Sequence, residues 1–492
     1  MSDPTATPAP DGFNLAHHVL WRNDAPGDKI ALAVLTASGA ERFSYDRLRA
    51  SVLTAAAGLL DAGLMPGNRL VLALGNTSTF PVAFLAAIAA DILPVPVPSG
   101  LTPDETAQLA QALDPAAVLT AGTGAVWPGI RHLTPDILTG SSPLDRPRTG
   151  DANRPAYLMV TSGTTGRPRL VTHAHRAILG RIPMRAGWTG LGPTDRMLHA
   201  GAFNWSYTLG TGLLDPWSVG ATALVPAQNT DPALIALLAK RHDATILAAV
   251  PGVYRRLLAG PLPPLPRLRH ALSAGEALAP SLRARWQEVT GTDIHEAFGQ
   301  TECSTFLSGS PDAPAPSGTL GRAQPGRRVA ILDDSGAPLP PDTMGQIAVS
   351  TDDPGLALLV DGAPPAGDWW GTGDMGTMSA DGWVTYLGRA DDILTAGGYR
   401  LSPTEIEAPF TAHPDITAAA AVDHRLGPET VIVALHYSAD EPLADAELQA
   451  LAARHLAPHK RPRLFIHAQT LPRGANGKLL RRALRAATDP AS

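Results

Sequence analysis

The chain has 492 residues, 44% of them hydrophobic and 17% charged, with 47 Gly and 47 Pro scattered without a G-X-Y period and a formal net charge of -6. This excludes a small disulfide scaffold, a collagen and a disordered chain, and leaves a loop-rich globular protein of roughly two to four domains. Neither nucleic acid nor an acidic membrane surface is expected as a partner, because no basic excess exists to attract one.

Cys303 is the single cysteine, so neither an intramolecular disulfide nor a Cys-based zinc cluster can form, which fits a reducing cytoplasm. The polar, Pro-rich start MSDPTATPAPDGFNLAHH lacks the basic and apolar regions of a secretory signal, and export is not expected. His17-His18 and His173-Ala-His175 are spaced like metal pairs but have no third ligand close in sequence, and read as surface or loop histidines.

Residues Ile30 to Leu35 read as a strand. Ser44 is a helix cap ahead of Leu48, Val52, Ala56 and Leu59, and Gly63 ends that helix. Arg69 to Leu74 is a strand, Phe80 to Ala90 a helix and Leu93 to Val97 a strand; Pro81, Asp91, Pro94 and Pro96 interrupt this apolar stretch too often for a membrane span. The alternation resumes with a helix over Ala233 to Lys240 and a strand over Thr245 to Ala249. Pro261 to Pro266, Pro311 to Gly318 and Asp361 to Gly367 read as loops. After Tyr386 smaller elements follow: a helix over Thr404 to Phe410, a strand over Val431 to Tyr437, a helix over Asp445 to Arg454 and a strand over Leu464 to His467. The fold class is therefore α/β, with mostly parallel sheets covered by helices. A large N-terminal domain is expected over 1–390 and a small α/β domain over 391–492.

In Tyr157 to His173 a short apolar strand enters a loop of Thr161, Ser162, Gly163, Thr164, Thr165 and Gly166, followed by Arg167 and Arg169. Glycines that turn N–H groups toward an anion, hydroxyl donors and positive charge suit a polyphosphate cradle, with an ordinary Thr/Gly turn as the alternative. Gly371-Thr-Gly-Asp-Met-Gly376 formally matches G-x-G-x-x-G, but Trp369-Trp370 before it and the turn Ser379 to Gly382 after it do not make a dinucleotide fingerprint.

Thr161 to Arg169, Phe298-Gly-Gln-Thr-Glu302, Thr372-Gly-Asp374, Gly388 to Ile393 with Gly398-Tyr-Arg400, and Gly477-Lys478 together resemble, in order and spacing, the motifs of the adenylate-forming superfamily. That superfamily includes acyl-CoA and aryl-CoA synthetases, peptide-synthetase adenylation domains and beetle luciferases. Phe203 to Val225 and Leu272 to Leu278 look most like its benzoate-CoA ligase branch.

The resemblance implies ATP, Mg²⁺ and coenzyme A as cofactors and a small-molecule carboxylate as substrate, with homodimerisation left open. It implies that the Thr/Gly loop covers the β- and γ-phosphates, with Arg169 where Lys is usual, a change that keeps the charge and alters the donor geometry. Phe298 would stack on adenine beside Gly299, Thr301 would reach the α-phosphate and Glu302 would hold Mg²⁺. Glu296 is either near the adenine amino group or an exposed carboxylate. Asp374 and Arg389 would bind the ribose hydroxyls, Asp391 would be the hinge of a mobile C-terminal domain, and Gly397 and Gly398 would line the pantetheine passage. Lys478 would bridge the carboxylate and the α-phosphate, although a basic run is commonly a solvated face.

Asn204 stands where amino-acid-activating members carry an Asp that pairs the substrate ammonium, so amino acids are not expected as substrates. Phe203, Trp205 and Tyr207, with Gly275, would line a flat slot for an aromatic ring, unless these aromatics only pack the core. The expected activity is an ATP-dependent carboxylate-CoA ligase for a benzoate-like acid. Loading of a carrier protein, a medium-chain fatty acyl-CoA synthetase and a non-catalytic nucleotide-binding protein stand as alternatives.

Overall fold

The structure, a computed structural model, describes residues 12–122, 126–162, 168–396, 399–426, 431–473 and 479–488. Its packing divides the chain into two compact units. One runs to Arg328 and includes Val349–Trp370; the other takes Val329–Ala348 and Gly371 onward.

The first unit is built on a nine-stranded sheet. Its order is Arg322–Ala323, Ser304–Ser308, Ile294–Gln300, His270–Ala274, Ile246–Ala249, Arg196–His199, Thr222–Pro226, Ile30–Leu35 and Ala40–Ser44. From Ile294–Gln300 to Ile30–Leu35 every pairing is parallel, and antiparallel strands close both edges. Strands such as Thr222–Pro226, Ile246–Ala249 and His270–Ala274 are buried at every position, as apolar strands covered on both faces must be. A second parallel sheet runs Leu93–Pro96, Arg69–Ala73, Ala117–Thr120 and His132–Leu133. Pro94 and Pro96 are tolerated because their strand is at its edge, where a missing N–H breaks no inner ladder.

Helix Tyr45–Asp61 starts as expected, with the Ser44 side chain accepting from the Arg47 N–H at 3.2 Å, and it buries Leu48, Val52, Ala56 and Leu59. Helix Thr79–Ala89 is buried almost all round, in keeping with a sequence that has no polar face. The helix expected over Ala233 to Lys240 is split into a 3₁₀ turn, Pro232–Leu234, and a helix, Ile235–Arg241. Among the described residues no helix is long and apolar enough to cross a membrane.

Within the second unit, strand Ala418–Arg425 pairs antiparallel with Val431–Ser438, which pairs parallel with Leu464–His467. Helices Pro403–Thr411 and Asp445–His455 contribute Ile406, Phe410 and Leu448 to the core of this sheet. The Gly371 to Gly376 string lies inside strand Trp369–Met378 and opens no helix.

Candidate active site

Three groups of expected site residues in the first unit follow the carboxyl ends of parallel strands of the nine-stranded sheet. Phe203 to Tyr207 come after Arg196–His199, Gly275 after His270–Ala274, and Thr301 and Glu302 after Ile294–Gln300. Open parallel sheets bind ligands at this edge.

Thr161 and Arg169 are opposed in an antiparallel hairpin. Gly163, Thr164, Thr165 and Gly166 between them lie outside the described residues, as does the side chain of Ser162. The Arg169 guanidinium lies 3.3 Å from a Glu302 carboxylate oxygen and 3.3 Å from Asp361, which brings the cation of the phosphate motif to the expected metal-binding carboxylate.

Thr301 and Glu302 occupy a turn whose carbonyls are all engaged. His173 Nε2 donates to the Thr301 carbonyl at 2.9 Å, Ala357 N–H to that of Glu302 at 2.7 Å, and Arg327 to those of Cys303 and Thr305 at 2.9 and 2.6 Å. The Thr301 hydroxyl is 3.2 Å from that of Ser206, so the expected nucleotide contact and the segment expected to bind the acid meet directly. Gly299 is required here, since a Cβ on it would lie 2.0 Å from the Ser304 carbonyl oxygen. Phe298 meets Phe306 edge-on at 5.6 Å.

His173 and His175 depart from the surface-histidine expectation, being 3% and 0% exposed. Burial pushes His173 down to about 4, so the ring is neutral and available as an N–H donor to the turn. His175 accepts from the Leu15 N–H at 3.0 Å. Among the described residues no group of three or more His, Cys, Asp or Glu side chains is placed to hold a metal ion.

Glu296 is not the exposed carboxylate that was one of its two expected placements. It is 6% exposed, accepts from the Leu278 N–H at 2.9 Å and faces Arg283 at 3.5 Å, tying the segment after Gly275 to the sheet. Burial pushes it up to about 7. Gly275 has a φ of +92°, a left-handed conformation that its lack of a side chain permits.

The aromatics of the acid segment do not form one wall. Phe203 is core: it stacks on Phe80 at 4.9 Å and is 1% exposed, while its N–H is held by Asn76 at 2.9 Å. Trp205 is 37% exposed and Asn204 half-buried. Tyr207 packs edge-on against His199 at 4.4 Å, lies near Trp188, and donates to the Leu272 carbonyl at 3.3 Å. Residues 203–205 form a turn and bend ahead of the helical stretch that begins at Ser206, so these side chains leave the backbone in different directions.

In the second unit Asp374 and Arg389 are directly opposed across an antiparallel pair. Arg389 donates to Asp374 at 3.2 Å and the Tyr386 hydroxyl reaches the other carboxylate oxygen at 3.4 Å. Asp391 is exposed, 3.5 Å from Arg389, and its carbonyl accepts from Arg485 at 3.3 Å. Asp392 pairs with Arg481, which also grips Glu407 at 2.8 Å. Gly397, Gly398 and Lys478 lie outside the described residues.

Ser206, Arg181 and Arg327 are contacts of this site that no motif announced, and His173, which ends the Tyr157 to His173 segment, was not assigned this contact. Only the placement of Ser206 inside the Phe203 to Tyr207 string was a usable signal.

Residues 20–357 match the family model of AMP-binding enzymes, and the chain belongs to that family, within the adenylate-forming superfamily. It is similar to benzoate-CoA ligase of Thauera aromatica, 29% identical over 98% of each chain, and to the mouse mitochondrial acyl-coenzyme A synthetase ACSM5, 29% identical over 97% of this chain and 91% of that one. The fold matches the crystal structure of a benzoate CoA ligase from Burkholderia xenovorans LB400 with a TM-score of 0.83 and 26% identity, covering 96% of this chain and 100% of the other. It also matches the anthranilate CoA ligase AuaEII in complex with anthranoyl-AMP, with a TM-score of 0.88, 22% identity and 99% coverage of both chains.

Proposed function

We propose that this enzyme is an ATP-dependent carboxylate-CoA ligase acting on a benzoate-like aryl acid. The observation that carries the reading is the meeting of Ser206, Thr301, Glu302 and Arg169 at one sheet edge, in a chain similar along its whole length to a benzoate-CoA ligase.

A free carboxylate resists a thiol because it has no good leaving group. In the first half-reaction a carboxylate oxygen attacks the α-phosphorus of ATP and the bond to the β-phosphate oxygen breaks, giving acyl-AMP and pyrophosphate. The CoA thiol then gives up its proton and attacks the acyl carbonyl, and AMP leaves. Two anions must meet in the first step, so positioning and charge neutralisation dominate its barrier. Lys478 and the Arg169 guanidinium supply positive charge, the Thr301 hydroxyl a donor for the α-phosphate, and Asp374 and Arg389 hold the ribose. Asp391 is the hinge about which the segment 391–492 turns between half-reactions, and Gly397 and Gly398 leave room for the pantetheine.

Glu302 fits Mg²⁺: it is a nearly buried hard-oxygen donor that would hold the ion together with phosphate oxygens and waters, as this ion is commonly bound through one or two protein carboxylates. When bound, the ion neutralises charge that builds on the phosphates. The lone cysteine supports a reducing, cytoplasmic setting.

The test is a panel of carboxylates assayed with ATP, Mg²⁺ and CoA, following AMP and thioester. Arylcarboxylates are expected to give the highest kcat/KM. Hexanoate or octanoate ahead of every aryl acid by about tenfold, which is about 1.4 kcal/mol of discrimination, would overturn the aryl assignment.

A further inference from the structure

The turn carrying Thr301 and Glu302 is gripped by two buried arginine–aspartate pairs that the reaction scheme does not use. Arg181 binds Asp215 through both carboxylate oxygens, at 2.6 and 2.7 Å, and donates to the Thr211 hydroxyl at 3.0 Å. Its remaining nitrogen donates to the Ser304 hydroxyl. Arg327 binds both oxygens of Asp353 at 2.7 Å and donates to the carbonyls of Cys303, Thr305 and Gly180. Gly180 adjoins Arg181 in the chain, so the pairs meet on either side of the same turn.

Ser304 has a φ of +61°, a left-handed conformation that a residue with a side chain adopts only when its surroundings impose it. The backbone makes room for both guanidinium groups: a Cβ at Gly210 would lie 2.3 Å from Arg181, and one at Gly355 2.9 Å from Arg327. An arginine is needed at each position because one rigid fork serves a carboxylate and still has donors left for the turn, whereas lysine has a single nitrogen.

We infer that Arg181 and Arg327 are positioning residues that hold the Thr301–Glu302 turn in its productive shape before ATP arrives. Neither contacts a reacting group. Arg181 acts through Ser304, and through Asp215 it links the nucleotide turn to the end of the acid-binding segment. The inference rests on the proposed adenylation.

The experiment measures carboxylate-dependent ATP–pyrophosphate exchange, thioester formation from pre-made acyl-AMP, Mg·ATP affinity and thermal unfolding for Ser304→Ala and Arg181→Lys. Ser304→Ala removes the hold of Arg181 on the turn, leaves the Arg181–Asp215 pair and the Arg327 contacts intact, and so is the variant expected to fold normally. Its exchange kcat should fall about tenfold and that of Arg181→Lys about a hundredfold, the scale of a misplacement near 1 Å. The KM for the acid and the rate from acyl-AMP should stay within about twofold.

Wild-type exchange in Ser304→Ala would overturn the inference, and so would a parallel loss in both half-reactions. If the wild-type enzyme exchanges with no acid, the proposed function fails instead. The inference is then judged on Mg·ATP affinity, where values for both variants equal to wild type overturn it and weaker binding supports it.

Discussion

Arg389 lies 3.2 Å from Asp374, its directly opposed partner on the neighbouring antiparallel strand, and the Tyr386 hydroxyl approaches the other carboxylate oxygen. The pair is kept close by Gly373, whose φ of +75° and missing side chain let the Arg389 guanidinium pass; a Cβ there would lie 2.9 Å from it. The Asp374 carboxylate thus meets the Arg389 cation and the Tyr386 hydroxyl, a geometry that under the proposed function suits exchange of the hydroxyl for those of a ribose.

Asp374→Asn should weaken ATP binding about 10- to 100-fold, the loss of a charge-assisted hydrogen bond of roughly 1.5 to 3 kcal/mol, with little change in the KM for the acid. Calorimetric titration with ATP checks it, and unchanged affinity would remove Asp374 from the nucleotide site.

Two aromatics separated by one residue should respond in opposite ways. Phe203→Ala empties a core position stacked on Phe80 and should cost about 3 to 5 kcal/mol of stability. Trp205→Ala should cost less than about 1 kcal/mol, since the ring is partly in solvent, while lowering kcat/KM for aryl acids selectively. Denaturant unfolding of both variants, with kinetics on benzoate and hexanoate for Trp205→Ala, decides between these roles.

Glu296 gives the protein a pH dependence. Its carboxyl is raised by burial from an ordinary value of 4.5 to about 7, so between those values the folded chain keeps a proton that the unfolded chain has released. Stability should then fall as pH rises from about 4.5 to 7 and level off above, a loss of order 3 kcal/mol. Glu296→Gln keeps an acceptor for the Leu278 N–H and cannot ionise, so its unfolding free energy should lose this slope. A slope equal to wild type would show that the pH dependence arises elsewhere.

Lys478 and Asp391 should separate the half-reactions. Lys478→Ala should slow adenylation by about 10² to 10³, some 3 to 4 kcal/mol of lost charge stabilisation, and spare thioester formation from acyl-AMP. Asp391→Pro fixes φ at the proposed hinge and should do the reverse. Pyrophosphate exchange and single-turnover thioester formation, measured on both variants, check the pair; equal losses in both assays would refute either role.

The sequence by itself determined the alternation of elements and the order of the motifs, because both are local. Apolar runs bounded by turn residues placed Ile30–Leu35 and Leu464–His467 at their observed limits, and a serine ahead of a spaced apolar series placed the cap at Ser44. These signals depend on backbone period and on side chains within a few residues of one another.

Only the tertiary structure decided which way side chains point and what they meet. Phe203 turns into the core, where Phe80 of helix Thr79–Ala89 stacks on its ring, and Trp205 turns toward water, and no periodicity encodes that. The lack of a third ligand close in sequence likewise left His173 a surface or loop residue, whereas tertiary packing brings strand Pro168–Ala174 to the carbonyl of Thr301, 128 positions along the chain from His173. The pairing of Arg181 with Asp215 and of Arg327 with Asp353 also arises from which strands and turns become neighbours. An unpaired buried charge is costly, so once the fold had buried these arginines each needed a carboxylate at that place in space, wherever the chain supplied one.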